Sequence, residues 1–263
     1  MDKDRDIQIM GIVNMTPDSY HAPSRGNVSQ LLSGADIIDV GGVSTRPGAP
    51  DVSEDEEWGR LEPFLSSLPE DVSLSIDTFR SGIVRKAHAI LGRRFIVNDI
   101  SAGEDDPAML DTVASLSLGY VAMHKRGNPR TMQSMCEYGD DITSAVLDYF
   151  DSFAQRARSA GVEDWILDPG FGFAKTVEQN YELLRNLKEF RRFGRPVLVG
   201  VSRKSMICKP LDITHEEALS ATQVVHLHAL KCGADILRVH DVREARQTVA
   251  LYRLLENGLN FKS

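Results

Sequence analysis

Asp36-Ile37-Ile38-Asp39-Val40-Gly41-Gly42 is a near-continuous apolar run closed by two glycines, with no alternation of apolar and polar residues. Runs of this kind are how strands buried on both faces of a parallel sheet read. Seven more segments punctuate the chain: Ile7–Met15, Ser73–Phe79, Arg94–Ser101, Gly119–His124, Asp164–Asp168, Pro196–Ser202 and Asp235–Asp241. Most share the pattern, Val197-Leu198-Val199 most plainly.

Amphipathic helices fill many of the gaps. Ser53 with Glu56, Thr176 with Gln179 and Thr214 with Glu217 have the capping-box spacing that opens a helix. Pro107 suits a first helical position. Tyr181, Leu184, Leu187 and Phe190 form one stripe along Val177–Phe193, and Gly161 and Gly233 stand where helices should stop. Eight strand–helix units in 263 residues match a single-domain (β/α)8 TIM barrel over 1–263. The rival is a doubly wound sheet, which usually carries a glycine-rich turn after its first strand; here that turn reads Met15-Thr16-Pro17-Asp18. Only Ser24–Ser33 lies between the first loop and the second strand, so the first helix is expected to be short.

The chain is 42% apolar and 26% charged, an ordinary globular composition, and no apolar run is long enough to span a bilayer. Met1–Asp6 is mixed in charge and unlike a secretory signal. Thirty basic against 38 acidic residues give a net charge of −8, which offers no general attraction for nucleic acid or anionic lipid. Any anionic substrate must be held by local cations. Cys136, Cys208 and Cys232 show neither a disulfide framework nor metal spacing. These features point to a soluble, cytoplasmic protein.

What stands at the carboxyl end of each apolar run is more informative. In order come Asn14; Ser44-Thr45-Arg46; Asp77; Asn98-Asp99; His124; Asp168; Ser202-Arg203-Lys204; and Arg238 with His240. In a parallel barrel these ends converge on one face, where active sites of the fold lie. Turn chemistry explains single Asp or Asn residues there, but it does not call for Lys, Arg and His. Arg238 and His240, two apart, point to the same side of a strand, and so do Ser202 and Lys204 if their strand extends that far. Asp77 and Asp168 can each accept paired N–H donors, and Asn98 can both donate and accept. Together they imply a flat heterocycle anchored by carboxylates, with an anionic group at the mouth.

Other features read as structure. His226 and His228 point to different helix faces and cannot form a zinc pair. Asp168-Pro169-Gly170-Phe171-Gly172-Phe173 is a turn signal more than a nucleotide motif. Arg191, Arg192 and Arg195 read as a solvated helix end, Ser202 and Ser205 lack a nucleophile elbow, and the cysteines show no activating partner.

The strand-end segments resemble dihydropteroate synthases. The resemblance rests on Met10–Ser19, Gly34–Gly42 with Ser44–Gly48, Ser75–Thr78, Asn98–Ser101, Met123-His124, Asp168–Phe173, Val201–Ser205 and Leu237–Asp241, in order over almost the whole chain. It implies the same eight-stranded barrel and a folate-synthesis transferase. In that reaction 4-aminobenzoate displaces pyrophosphate from 6-hydroxymethyl-7,8-dihydropterin pyrophosphate, by a dissociative displacement assisted by Mg²⁺. By resemblance, Asp77, Asn98, Asp168, Lys204 and Arg238 would bind the pterin. Asn14, Arg238 and His240 would hold the pyrophosphate, with Asn14 also helping to bind Mg²⁺. Thr45, Arg46, Pro47, Phe173 and Ser205 would form the aminobenzoate pocket, and Asp77, Lys204, Arg238 and His240 would act in catalysis.

Two positions depart from the family pattern. The first loop, usually Ser-Phe-Ser-Asp-Gly-Gly, reads Ser19-Tyr20-His21-Ala22-Pro23-Ser24, and Val43 replaces the Glu of Gly-Gly-Glu-Ser-Thr. Two further readings share the pterin floor: a corrinoid-linked pterin methyltransferase, and a pterin-binding barrel without catalysis. The resemblance also implies a homodimer and inhibition by sulfonamides.

Overall fold

The computed structural model describes residues 6–16, 34–43, 51–127, 131–139 and 141–257. The expected short first helix, the altered first loop and Thr45, Arg46 and Pro47 lie outside the described residues. All eight expected strands form, trimmed at their ends: β1 (Gln8–Asn14), β2 (Ile37–Gly41), β3 (Leu74–Asp77), β4 (Ile96–Asp99), β5 (Gly119–Met123), β6 (Trp165–Asp168), β7 (Leu198–Val199) and β8 (Ile236–Val239). They are parallel, in the order β6-β5-β4-β3-β2-β1-β8-β7. A parallel bridge between Leu167 and Val197 joins the two edges and closes the barrel, with Leu167 N–H donating to the Pro196 carbonyl at 2.9 Å. Proline has no N–H to give the ladder but keeps its carbonyl.

Around the strands lie α1 (Glu54–Leu65), α2 (Ser81–Leu91), α3 (Met109–Ser115), α4 (Ile142–Ala160), α5 (Val177–Arg185), α6 (Ser205–Leu211), α7 (Leu219–Lys231) and α8 (Val242–Asn257). Ser53 Oγ caps α1 by accepting from Glu56 N–H, and Thr176 with Gln179 closes a full capping box on α5. Thr214 and Glu217 also bond reciprocally, yet their box opens a turn and α7 starts only at Leu219. Likewise α3 begins at Met109 rather than Pro107, after a turn in which Asp106 accepts from Ala108 N–H at 2.9 Å.

The expected helix Val177–Phe193 is broken at Asn186 into α5 and a 3₁₀ turn, Leu187–Phe193. The tighter winding eclipses positions three apart, which keeps Leu187, Phe190 and Phe193 on the core side. Asn186 Nδ2 donates across to Thr143 Oγ1 at 3.0 Å.

Side chains of period two divide every strand between the barrel lumen and the helix layer. Met10, Ile37, Val121, Ile166, Leu198 and Ile236 form an apolar plug separate from the outer core. Above the plug, the same inner parity carries Asp39, Ser75, Asp77, Asn98, Asp168 and Arg238, so the lumen turns polar toward the strands' carboxyl ends.

Candidate active site

Arg238 is the hub of the polar layer. Its Nε donates to Asp39 Oδ2 and its Nη2 to Asp77 Oδ2, each at 2.6 Å. Asn98 Nδ2 donates to the same Asp39 oxygen at 3.1 Å. Burial pushes the Asp77 carboxyl up to about 7, opposed by Arg238 and reinforced by Asp39. Water is excluded and carboxylates outnumber cations around Asp77, so ionisation is costly there.

Asp168 closes the opposite side. It is buried, its Oδ1 accepts from Gly170 N–H at 2.8 Å, and burial raises its pKa against the pull of Lys204. Lys204 Nζ donates to the Phe171 carbonyl at 2.5 Å and stands 4.9 Å from the centre of the Phe173 ring. Burial lowers its ammonium to about 8, with Asp168 opposing. Three carboxylates, an amide and two cations thus share one lumen.

The loop after β6 is organised by a second, unanticipated lysine. Lys175 Nζ, almost wholly buried, donates to the carbonyls of Gly170 at 2.9 Å and Phe173 at 3.0 Å and meets His124 Nδ1 at 2.9 Å. The His124 carbonyl is a fourth, longer acceptor at 3.4 Å, and an ammonium donating to the ring requires His124 Nδ1 to carry a lone pair. The His124 imidazole is accordingly held well below its usual range by burial and by Lys175. Burial lowers Lys175 itself to about 7, while Asp168 opposes the shift. Phe173 and Ser205 flank Lys204, and a cavity of about 270 Å³ opens beside them between Gly172, Lys175, Asn180 and Ser205.

Asn14 and His240 stand at the ends of adjacent strands, both exposed at the mouth. Strand β8 ends at Val239, so His240 lies just beyond it, steadied by Ser202 Oγ, which is 3.0 Å from its Nδ1 and accepts its backbone N–H at 3.3 Å. Strand β7 ends at Val199, well short of Ser202; Ser202 and Lys204 therefore do not share a strand face, and Lys204 is instead the residue before α6.

Parity removes several strand-end candidates. Asp99 and His124 have outward parity: Asp99 accepts from Ser101, Gly103 and Tyr120, and the His124 ring packs on Tyr149 at 4.8 Å. Arg203 is a fork on Asp241, with two bonds of 2.8 Å. Missed altogether were Asp39 and Lys175. A lone charge inside Ile37–Val40 was the available signal for the first, and a lysine two residues past Phe173 for the second.

Residues read as structural behave so, with two refinements. Buried His226 Nδ1 lies 3.3 Å from Gln223 Oε1, while His228 Nε2 lies 3.3 Å from Cys232 Sγ. Arg192 and Arg195 are anchored rather than merely solvated, on Asp151 and on the Glu163 carbonyl. Cys208 and Cys232 do have histidine neighbours, His215 at 3.6 Å and His228 at 3.3 Å, though burial raises both thiols.

Residues 10–240 match the family described as pterin binding enzyme. The chain is 41% identical over 268 residues to the dihydropteroate synthase of Escherichia coli, covering 97% of this chain and 92% of that one. It belongs to the dihydropteroate synthase family. Among solved structures, the Yersinia pestis dihydropteroate synthase with a sulfonamide drug complex superposes with a TM-score of 0.90 at 35% identity, covering 98% of this chain and 97% of that one. The Thermus thermophilus dihydropteroate synthase in complex with 4-aminobenzoate does so at 0.85 and 38%, covering 97% and 96%. Membership in the synthase family sets aside the corrinoid-linked methyltransferase reading.

Proposed function

We propose that this transferase joins 4-aminobenzoate to 6-hydroxymethyl-7,8-dihydropterin pyrophosphate, giving 7,8-dihydropteroate and pyrophosphate in folate biosynthesis. The convergence of Asp77, Asn98, Asp168, Lys204 and Arg238 on one lumen carries this reading. A pterin edge is a row of N–H donors whose loss from water is compensated only by buried acceptors, which Asp77, Asn98 and Asp168 supply. Lys204 and Arg238 balance that charge.

In a dissociative displacement, the C–O bond breaks first and its electron pair leaves with pyrophosphate. The amine nitrogen then forms the new C–N bond and gives up a proton. Ionised Asp77 stabilises the carbocation, while Arg238 and His240 stabilise the charge gathering on the leaving group. Phe173 and Ser205 border the aminobenzoate side, beside Lys204. The Asn14 amide oxygen, exposed at the end of β1, is a hard donor that fits Mg²⁺, an ion that keeps waters and binds substrate phosphates. When bound, Mg²⁺ supplies neutralisation of the pyrophosphate.

Exposed Val224 on α7 and Leu251, Leu254 and Leu255 on α8 support a homodimer through these two helices, which pack against each other. Sedimentation showing only monomer at micromolar concentration would count against it. No helix among the described residues is long and apolar enough to cross a membrane. The free thiols of Cys208 and Cys232 suit a cytoplasmic setting.

The test is direct: purified protein with both substrates and Mg²⁺ should form dihydropteroate, detected by mass, with a sulfonamide inhibiting and a chelator slowing it. Absence of product, with the pterin bound tightly, would select a pterin-binding protein without turnover.

A further inference from the structure

Asp39 sits in the middle of β2, one inner position below the strand end, and is wholly buried. A carboxylate so far from water stays ionised only beside cations or several donors. Its Oδ2 takes Arg238 Nε at 2.6 Å and Asn98 Nδ2 at 3.1 Å. One oxygen therefore ties together two side chains that reach it from β8 and β4, both assigned above to the pterin. Holding the guanidinium at Nε fixes its plane and aims Nη2 at Asp77, 2.6 Å away. Asp39 Oδ1 and the Oγ of Ser75, its register partner on β3, are buried and without hydrogen-bond partners among the described residues.

We infer that Asp39 is a positioning residue of this site: it sets the planes of Arg238 and Asn98 and the charge balance around Asp77, without touching the pterin itself. The inference rests on the reaction proposed above. The charges acting on Asp77 come from Arg238 on β8, Asp39 on β2, Glu57 on α1, the outward-turned Asp99 on β4 and Lys204 beside α6. Of these, Asp39 is the carboxylate that most raises Asp77, so neutralising it lets Asp77 ionise at lower pH.

The experiment compares Asp39→Asn with the wild type in the full-length protein. Removing one partner of a buried, hydrogen-bonded charge pair is expected to lower kcat/KM for the pterin substrate about 100-fold. The acid limb of the kcat/KM profile should also move to lower pH. Unchanged kcat/KM, or a loss with the acid limb in place, would overturn the assignment, because a merely structural role predicts no movement of that limb. If the variant does not fold, a crystal structure of the wild type with bound dihydropterin decides the question. A retained Nε–Oδ2 contact, within about 3.2 Å, supports the role, and a broken one refutes it. A wild type that makes no dihydropteroate refutes the reaction instead. Calorimetric binding of dihydropterin, expected to be about 100-fold weaker in Asp39→Asn, then tests Asp39 separately, and equal affinity overturns its role.

Discussion

Arg238 Nη2 and Asp77 Oδ2 meet at 2.6 Å, joining two residues 161 positions apart in the chain. The contact links β8 to β3 inside the lumen, and the same guanidinium is shared with Asp39. A single cation therefore compensates two buried carboxylates.

Removing that cation should be worse than removing either anion. Arg238→Gln leaves Asp39 and Asp77 facing each other and is expected to cost about 3–5 kcal/mol in urea unfolding at pH 8. Asp77→Asn should behave differently. Its carboxyl is raised from 3.8 to about 7, so the folded protein holds a proton that the unfolded chain releases between those values. The stability this contributes is complete below 3.8 and is lost as pH rises through about 7. Unfolding measured from pH 4 to 8 should show the variant gaining on the wild type across that window; a constant difference would contradict it.

The pH dependence of turnover follows from two groups. Asp77 must be ionised, giving an acid limb near 7, and Lys204 must be protonated, giving an alkaline limb near 8. The expected kcat/KM profile is a narrow bell, and Lys204→Arg should push the alkaline limb out of range while lowering the rate. A flat profile between pH 6 and 9 would show that neither group titrates in the free enzyme.

Lys175→Met should act on aminobenzoate more than on pterin. The substitution removes the donor that now serves the Gly170, Phe173 and His124 carbonyls and His124 Nδ1. The Phe173 loop then loses its anchor, and KM for aminobenzoate should rise roughly 10-fold, with a smaller change for the pterin. Equal effects on both substrates would place Lys175 in general stability only.

Two glycines separate strain from collision. At Gly170, with φ of 72°, a Cβ would lie 1.9 Å from the His124 carbonyl oxygen. Gly194, with φ of 60°, has open space around the same position. Gly194→Ala should cost about 1 kcal/mol and Gly170→Ala several, with lost turnover. Thermal unfolding of the pair measures the difference.

Much of the site is legible before folding is considered. Asp77 and Asp168 end their strands and Asn98 stands one residue before its strand's end, all with inner parity, and an Asn98-Asp99 pair must send one member in and the other out. The same parity rule turns His124 outward, since Val121 and Met123 face the lumen. Asp39 is not legible as a site residue in the linear chain because it lies below the rim, in the middle of β2. Lys175 is not legible either, because only a folded loop wraps these acceptors around one ammonium.

Eight buried parallel strands, their order of polar endings and the family resemblance are properties of the linear chain, because apolar continuity and side-chain period are local. Which oxygen meets which nitrogen is not local. Arg238 reaches Asp39 and Asp77, Lys175 reaches His124, and Leu167 bridges Val197 only once twist and shear have closed the barrel. Those contacts were settled by packing in three dimensions, where the cost of burying each charge had to be met by a partner far away in sequence.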